Sequence, residues 1–353
     1  MPIYFSGTRY MKKKLLVILL TVPVGLAWLV AVCGGSAVAA SPVTTSQTPS
    51  VYYGVHVPGG LNTLSAVTTF EHDAKKNVSI VMFYQGWGVT DGTQNFETDW
   101  MNTVRNHGSI PMVTWEPWLS TNGTNQPQYS LQNIINGKFD AYITQWADAS
   151  KAWGHPYFLR FAAEMNGNWF PWSEQVNGNQ PGQYVLAWKH VNTLFVNDGV
   201  TNVTWVWSPN IDYNGSTPLS ELYPGDDYVD WLGMDGYNWG TVNGHVWQTF
   251  SQVFSQTYHE LLGIAPKPLM IAETASTEQG GDKANWITDA YTTQVSSNFP
   301  HIQAIIWFNE NKETDWRIES SSTAQTAFAT AIQSSRYSSN NYASLNASPI
   351  PPP

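Results

Sequence analysis

The chain has 353 residues, with 16 basic against 26 acidic side chains, a formal charge of −10 and a single cysteine. The acidic balance repels phosphate backbones and argues against nucleic acid as a partner. Cys33 falls inside an N-terminal targeting segment, so the mature protein has no disulfide, cysteine nucleophile or thiolate metal site.

Arg9 and Lys12 to Lys14 form a basic start, Leu15 to Val32 is apolar, and Val38, Ala39 and Ala40 offer a cleavage site. Residues 1–40 therefore read as a secretory leader, with Met11 as an alternative start. A retained anchor, or a lipid anchor at Cys33, is the competing reading, because the apolar run nearly spans a bilayer. Pro23 and the small residues Gly34, Gly35 and Ser36 favour cleavage. The expected product is secreted, monomeric and free of stable membrane association. Loss of the leader leaves 12 basic against 26 acidic residues, a charge of −14.

Residues 41–50 are a Ser/Thr/Pro linker, and 336–353 read as a disordered Ser/Asn/Pro-rich tail. Between them, 51–335 form one domain. Eight β-rich runs occupy 51–57, 78–84, 109–115, 156–162, 202–208, 229–235, 268–274 and 302–308. Helical stretches are expected near 61–75, 97–107, 138–152, 182–197, 245–262, 283–298 and 321–334, while 209–228 holds at best a short helix. Eight nearly continuous apolar strands with helical crossovers predict a parallel sheet covered on both faces. No Gly-rich phosphate turn follows the first run, so a (β/α)8 barrel is favoured over an open doubly wound sheet.

Active sites of such barrels lie at the C-terminal ends of the strands. The residues there are His56, Tyr84 to Trp87, Trp115 to Trp118, Glu164 to Gly167, Trp207 to Asn210, Asp235 to Trp239, Glu273-Thr274 and Trp307 to Asn309. No Ser–His elbow and no metal-spaced histidines occur among them, so neither cofactor nor metal is expected. The chain carries 18 Trp and 17 Tyr. Rings in a groove suit ligands with one apolar face and many hydroxyls, which describes sugars. Glycosidic cleavage needs two carboxyl groups, one protonated and one ionised. Glu164 and Glu273 end runs four and seven, which face each other across an eight-stranded ring. Glu116, Asp235 and Glu310 are rival carboxylates. Whether the pair retains or inverts depends on its separation.

RFAAEMNGNWFPW (160–172), GMDGYNW (233–239), KPLMIAETA (267–275) and AIIWF (304–308) together resemble glycoside hydrolase family 26, the β-mannanase family of barrel glycosidases with catalytic Glu on strands four and seven. The resemblance covers about 51–335 and implies an endo-β-1,4-mannanase-like retaining enzyme acting on polysaccharide. It implies Glu164 as acid/base and Glu273 as nucleophile, with Tyr237 bonded to the nucleophile and Arg160 supporting the carboxylates. Trp307 would be the floor under the cleaved sugar and Trp169 would stack on the leaving-group side. His56, Trp115, Asn166 and Trp172 are further candidate substrate contacts. Ala163 stands where the family usually has His, which weakens the mannan reading in favour of another β-glycan, such as mixed-linkage glucan or xylan. A non-catalytic polysaccharide-binding barrel and a metal-dependent deacetylase are the alternatives of other classes.

Overall fold

Apolar runs flanked by turn residues become strands buried on both faces. The computed structural model describes residues 50–89 and 92–353. The expected leader and all of the expected linker except Ser50 lie outside them. The barrel strands are β1 (Val51–His56), β2 (Ile80–Gly86), β3 (Ile110–Glu116), β4 (Tyr157–Phe161), β5 (Val203–Trp207), β6 (Trp231–Asn238), β7 (Leu269–Ser276) and β8 (Ile302–Phe308). Every neighbouring pair is parallel, and β8 closes the ring on β1 with Tyr52 opposite Ala304 and His56 opposite Phe308. This is the (β/α)8 barrel the sequence predicts.

The helices include α1 (Ser65–Ala74), α2 (Thr98–His107), α3 (Asp140–Trp153), α4 (Gln183–Asp198), α5 (Leu219–Leu222), α6 (Phe250–Ile264), α7 (Lys283–Asp289) and α8 (Ser322–Ala331). Their starts have local causes. Thr249 and Gln252 form a capping box before α6, and the Ser321 hydroxyl accepts from the Ala324 N–H before α8. Among the described residues, no helix is long and apolar enough to cross a membrane.

Two apolar layers share the strands. Tyr52, Ile80, Met82, Ile110, Met112, Phe158, Val206, Trp231, Met270, Ala272, Ala304 and Ile306 fill the barrel interior. The alternate residues face the helices in a larger aromatic core. This parity carries functional weight, because inward positions at the strand ends open into the mouth.

The expectation of a disordered tail is corrected by its packing. Tyr337–Ser338 adds a short strand beside β1. Beyond it, Ile350 is buried against the inward-facing residues. Its N–H donates to Thr204 Oγ1 (2.8 Å), and its carbonyl accepts from Trp231 Nε1 (2.8 Å). Tyr52 Oη donates to the Pro351 carbonyl at 2.9 Å. A short polar segment thus closes the end of the barrel away from the mouth.

Candidate active site

Inward parity brings His56, Tyr84, Glu116, Arg160, Asp235, Tyr237, Glu273 and Phe308 to the C-terminal end of the barrel. Glu273 arrives there through a β-bulge. Met234 of β6 pairs with Ile271 of β7, yet Asp235 pairs with Glu273, so Ala272 is an extra residue. Strict alternation from Met270 and Ala272 would have turned Glu273 outward; the bulge re-aims it beside Asp235. Glu164 arrives by a different device. Just past β4, Ala162 and Glu164 have φ of 45° and 54°. Such left-handed conformations cost non-glycine residues on the order of 1–3 kcal/mol each and concentrate at functional sites. Hydrogen bonds hold the turn: Glu164 N–H to the Ser208 carbonyl (2.8 Å), Tyr184 Oη to the Ala162 carbonyl (3.1 Å) and Trp172 Nε1 to the Ala163 carbonyl (2.7 Å).

One carboxylate oxygen from each of Glu164, Asp235 and Glu273 lies within 4.8 Å of the others. Arg160, only 1% exposed, supplies the positive charge this acidic cluster requires. Its Nη1 donates to Glu273 Oε1 at 2.5 Å and to Thr114 Oγ1 at 3.1 Å, and its Nη2 donates to Asp235. Ser208 Oγ donates to the other Asp235 oxygen at 3.0 Å.

The two glutamates sit in opposite electrostatic settings. Both Glu273 oxygens accept phenol hydroxyls, Oε1 from Tyr84 and Oε2 from Tyr237, each at 2.6 Å. Burial alone would push its carboxyl up, but the Arg160 charge and the hydrogen bonds from Tyr237, Tyr84 and Arg160 outweigh this and hold it below its ordinary value. Burial, reinforced by the nearby Glu273 charge, raises Glu164 above its ordinary value, with Asn210, Arg160 and Trp169 opposing in part. Asn210 Nδ2 donates to Glu164 Oε1 (2.8 Å) and Trp169 Nε1 donates to Oε2 (2.7 Å). The two environments therefore push the carboxyls apart, Glu273 toward its ionised form and Glu164 toward its protonated form, the direction acid–base chemistry requires.

The other predicted residues separate into two groups. Arg160, Tyr237 and Trp169 touch the carboxylates directly. His56 lies at the mouth, stacked on Phe308 with centroids 4.9 Å apart and edge-on to Tyr84 at 4.8 Å. Trp307, Trp115, Trp172 and Asn166 are fully buried and offer no surface to a ligand. Trp307 faces outward against Phe328, with Nε1 bonded to the Trp316 carbonyl, so Phe308 occupies the mouth in its place. Trp115 also faces the helices, stacked 4.6 Å from Trp146. Trp172 stacks on Phe170 at 4.4 Å beneath the Glu164 turn. Asn166 accepts from the Asn210 N–H and donates to its carbonyl, both at 2.9 Å, and so orients Asn210. Tyr84 and Asn210 are the contacts that the sequence reading did not single out. For Tyr84 a signal existed, since it stands two and four residues after the interior residues Met82 and Ile80.

Residues 36–277 match the family model described as glycosyl hydrolase family 26. The chain belongs to glycosyl hydrolase family 26. The match includes both Glu164 and Glu273. The chain is also similar to Endoglucanase H of Acetivibrio thermocellus, 41% identical over 276 residues that make up 76% of this chain and 29% of that protein. The chain thus spans under a third of that relative's length. A mannan endo-1,4-beta-mannosidase of Bacillus subtilis is 23% identical over 277 residues, 75% of this chain and 68% of the relative. Among solved structures, a Cellulomonas fimi endo-beta-1,4-mannanase double mutant superposes with a TM-score of 0.64 at 16% identity, covering 82% of this chain and 72% of that one. At that identity the likeness concerns the fold of this family 26 barrel.

Proposed function

We propose that the chain is a secreted, retaining endo-β-glycanase, with Glu273 as nucleophile and Glu164 as acid/base. The observation that carries this reading is two carboxylates with oxygens within 4.8 Å, one held ionised and the other pushed toward its protonated form. Retaining glycosidases place their carboxyl groups about 5–5.5 Å apart, and inverting ones, which need room for water, about 6.5–9.5 Å. Glu273 attacks the anomeric carbon while Glu164 protonates the departing glycosidic oxygen, giving a covalent glycosyl-enzyme. Glu164 then takes a proton from water, which displaces Glu273 with overall retention. Tyr84, Tyr237 and Arg160 hold the nucleophile ionised and oriented, and Trp169 and Asn210 orient the acid. The basic, apolar and small-residue pattern of 1–40, read as a secretory leader, supports export to where polysaccharide is found.

A β-glucan is the favoured substrate over mannan. The 41% identity to part of an endoglucanase exceeds the 23% identity to a mannan endo-1,4-beta-mannosidase, and Ala163 puts no hydrogen-bonding side chain at the position just before Glu164. Mannan is the second reading, favoured by the match over 68% of the Bacillus mannosidase. Reducing ends released from lichenan, galactomannan and glucomannan separate the two.

The mechanistic test is Glu273→Ala. Hydrolysis should stop, and azide should restore turnover of an activated aryl glycoside with inverted product. Glu164→Ala should lose on the order of 10²–10⁴-fold on polysaccharide, and less on a substrate whose leaving group needs no proton. Full activity in Glu273→Ala would refute the assignment.

A further inference from the structure

Glu116 ends β3 on the inward face, is 7% exposed, and has no place in the double displacement. Among the described residues its side chain accepts one hydrogen bond, from Trp118 Nε1 to Oε2 at 3.0 Å. The neighbouring cations are engaged elsewhere. Arg160 bonds Glu273, Asp235 and Thr114, and Lys312 pairs with Glu313 at 3.3 Å. A buried carboxyl with an uncommitted oxygen leaves part of its hydrogen-bonding capacity to whatever fills the cleft. Trp118, tied to it, is half-buried, with its ring edge-on to Phe170 at 5.2 Å and to Trp172 at 5.5 Å.

The Glu164–Glu273 axis divides the mouth. Trp169 and Asn210 cluster on the acid, where the leaving group departs, and Tyr213 lies 5.6 Å from the Trp169 ring. Tyr84, Glu116, His56 and Phe308 stand at the ends of β2, β3, β1 and β8, away from the groups bonded to the acid. In the proposed mechanism the sugar retained on the nucleophile sits on this flank. Resting on the reading of the chain as a β-glycanase, we propose that Glu116 is a specificity-determining residue that hydrogen-bonds a hydroxyl of the retained sugar and excludes acidic sugars from that position.

The ionisation of Glu116 supplies an independent readout. Burial raises its carboxyl to about 7; the Trp118 hydrogen bond and the charges of Arg160 and Lys312 oppose, and the Glu273 charge adds. Tyr84 also faces it from β2 and is held neutral by its own burial and by Glu273. Below that pH Glu116 both donates and accepts a hydrogen bond; above it, it only accepts, and it adds negative charge beside Glu273. Substrate affinity should therefore break near neutrality.

The test compares wild type with E116Q on lichenan, galactomannan and a carboxymethylated β-glucan. Glutamine keeps the shape and an oxygen for Trp118, so a merely structural Glu116 would leave every readout unchanged. The proposal expects KM for the neutral glycan to rise about tenfold with kcat little altered. It also expects the break in KM near pH 7 to vanish, and cleavage of the carboxymethylated polymer relative to the neutral one to rise about tenfold. W118F, which keeps a ring but removes the hydrogen bond that lowers the Glu116 pKa, should move the break to higher pH. E116Q with wild-type KM, pH profile and polymer ratio overturns the proposal while leaving the enzyme reading intact. Wild type that neither binds nor cleaves any neutral β-glycan overturns both.

Discussion

Replacing Arg160 by Met removes the one cation bonded to two carboxylates inside the barrel mouth and leaves similar volume. In the native chain the guanidinium reaches Glu273 at 2.5 Å, Thr114 at 3.1 Å and Asp235, with the guanidinium and both carboxylates nearly excluded from solvent. A hydrogen bond to a charged group is worth about 1.5–3 kcal/mol. Loss of one at each carboxylate fits the about 3–5 kcal/mol found when a buried ion pair is broken from one side. The deficit should depend on pH with a definite sign. Burial already holds the Asp235 carboxyl well above its ordinary value in wild type, with Arg160 opposing, so the contrast rests on Glu273. Without the guanidinium Glu273 holds its proton more tightly when folded, and stability falls as pH rises. In wild type Glu273 lies below its ordinary value of 4.5, so its contribution is present above that pH and lost as pH falls beneath it. The gap between the proteins is therefore widest at neutral pH and narrows toward pH 4. Urea unfolding followed by tryptophan fluorescence at pH 7 and pH 4 measures it. A deficit under about 1 kcal/mol, or one equal at both pH values, would refute the claim that Arg160 acts by compensating buried charge.

Trp169→Phe removes a donor that favours the ionised form of Glu164, so the alkaline limb of kcat/KM should move to higher pH; a limb that stays or moves down contradicts the acid assignment. Trp307→Phe should lower stability by about 1–3 kcal/mol with KM unchanged, whereas Phe308→Ala should raise KM, because only Phe308 lies at the mouth. The reverse pattern in steady-state kinetics would restore Trp307 as the sugar floor. Ile350→Ala should cost about 2–5 kcal/mol in denaturant unfolding, as expected for a buried aliphatic side chain; a loss below about 0.5 kcal/mol would mean that the tail merely lies along the barrel.

The amino-acid sequence alone already specified the eight strands, their order and the helical crossovers, and hence the closed barrel. Apolar run length and crossover length are local quantities, and chain geometry converts them into one architecture. It also placed Glu164 and Glu273 at strand ends, where barrels put their chemistry. It did not determine which way each strand-end residue faces. Strands buried on both sides are nearly continuously apolar, so Trp115, or Trp307 beside Phe308, stands in no alternation from which parity can be read. The bulge that turns Glu273 inward is a lateral register shift against β6, visible only once the strands lie side by side. The Tyr84–Glu273 bond joins residues 189 positions apart, and the seat of Ile350 is built from the floor of the finished barrel. Those contacts belong to tertiary structure because each depends on a surface that no single segment possesses.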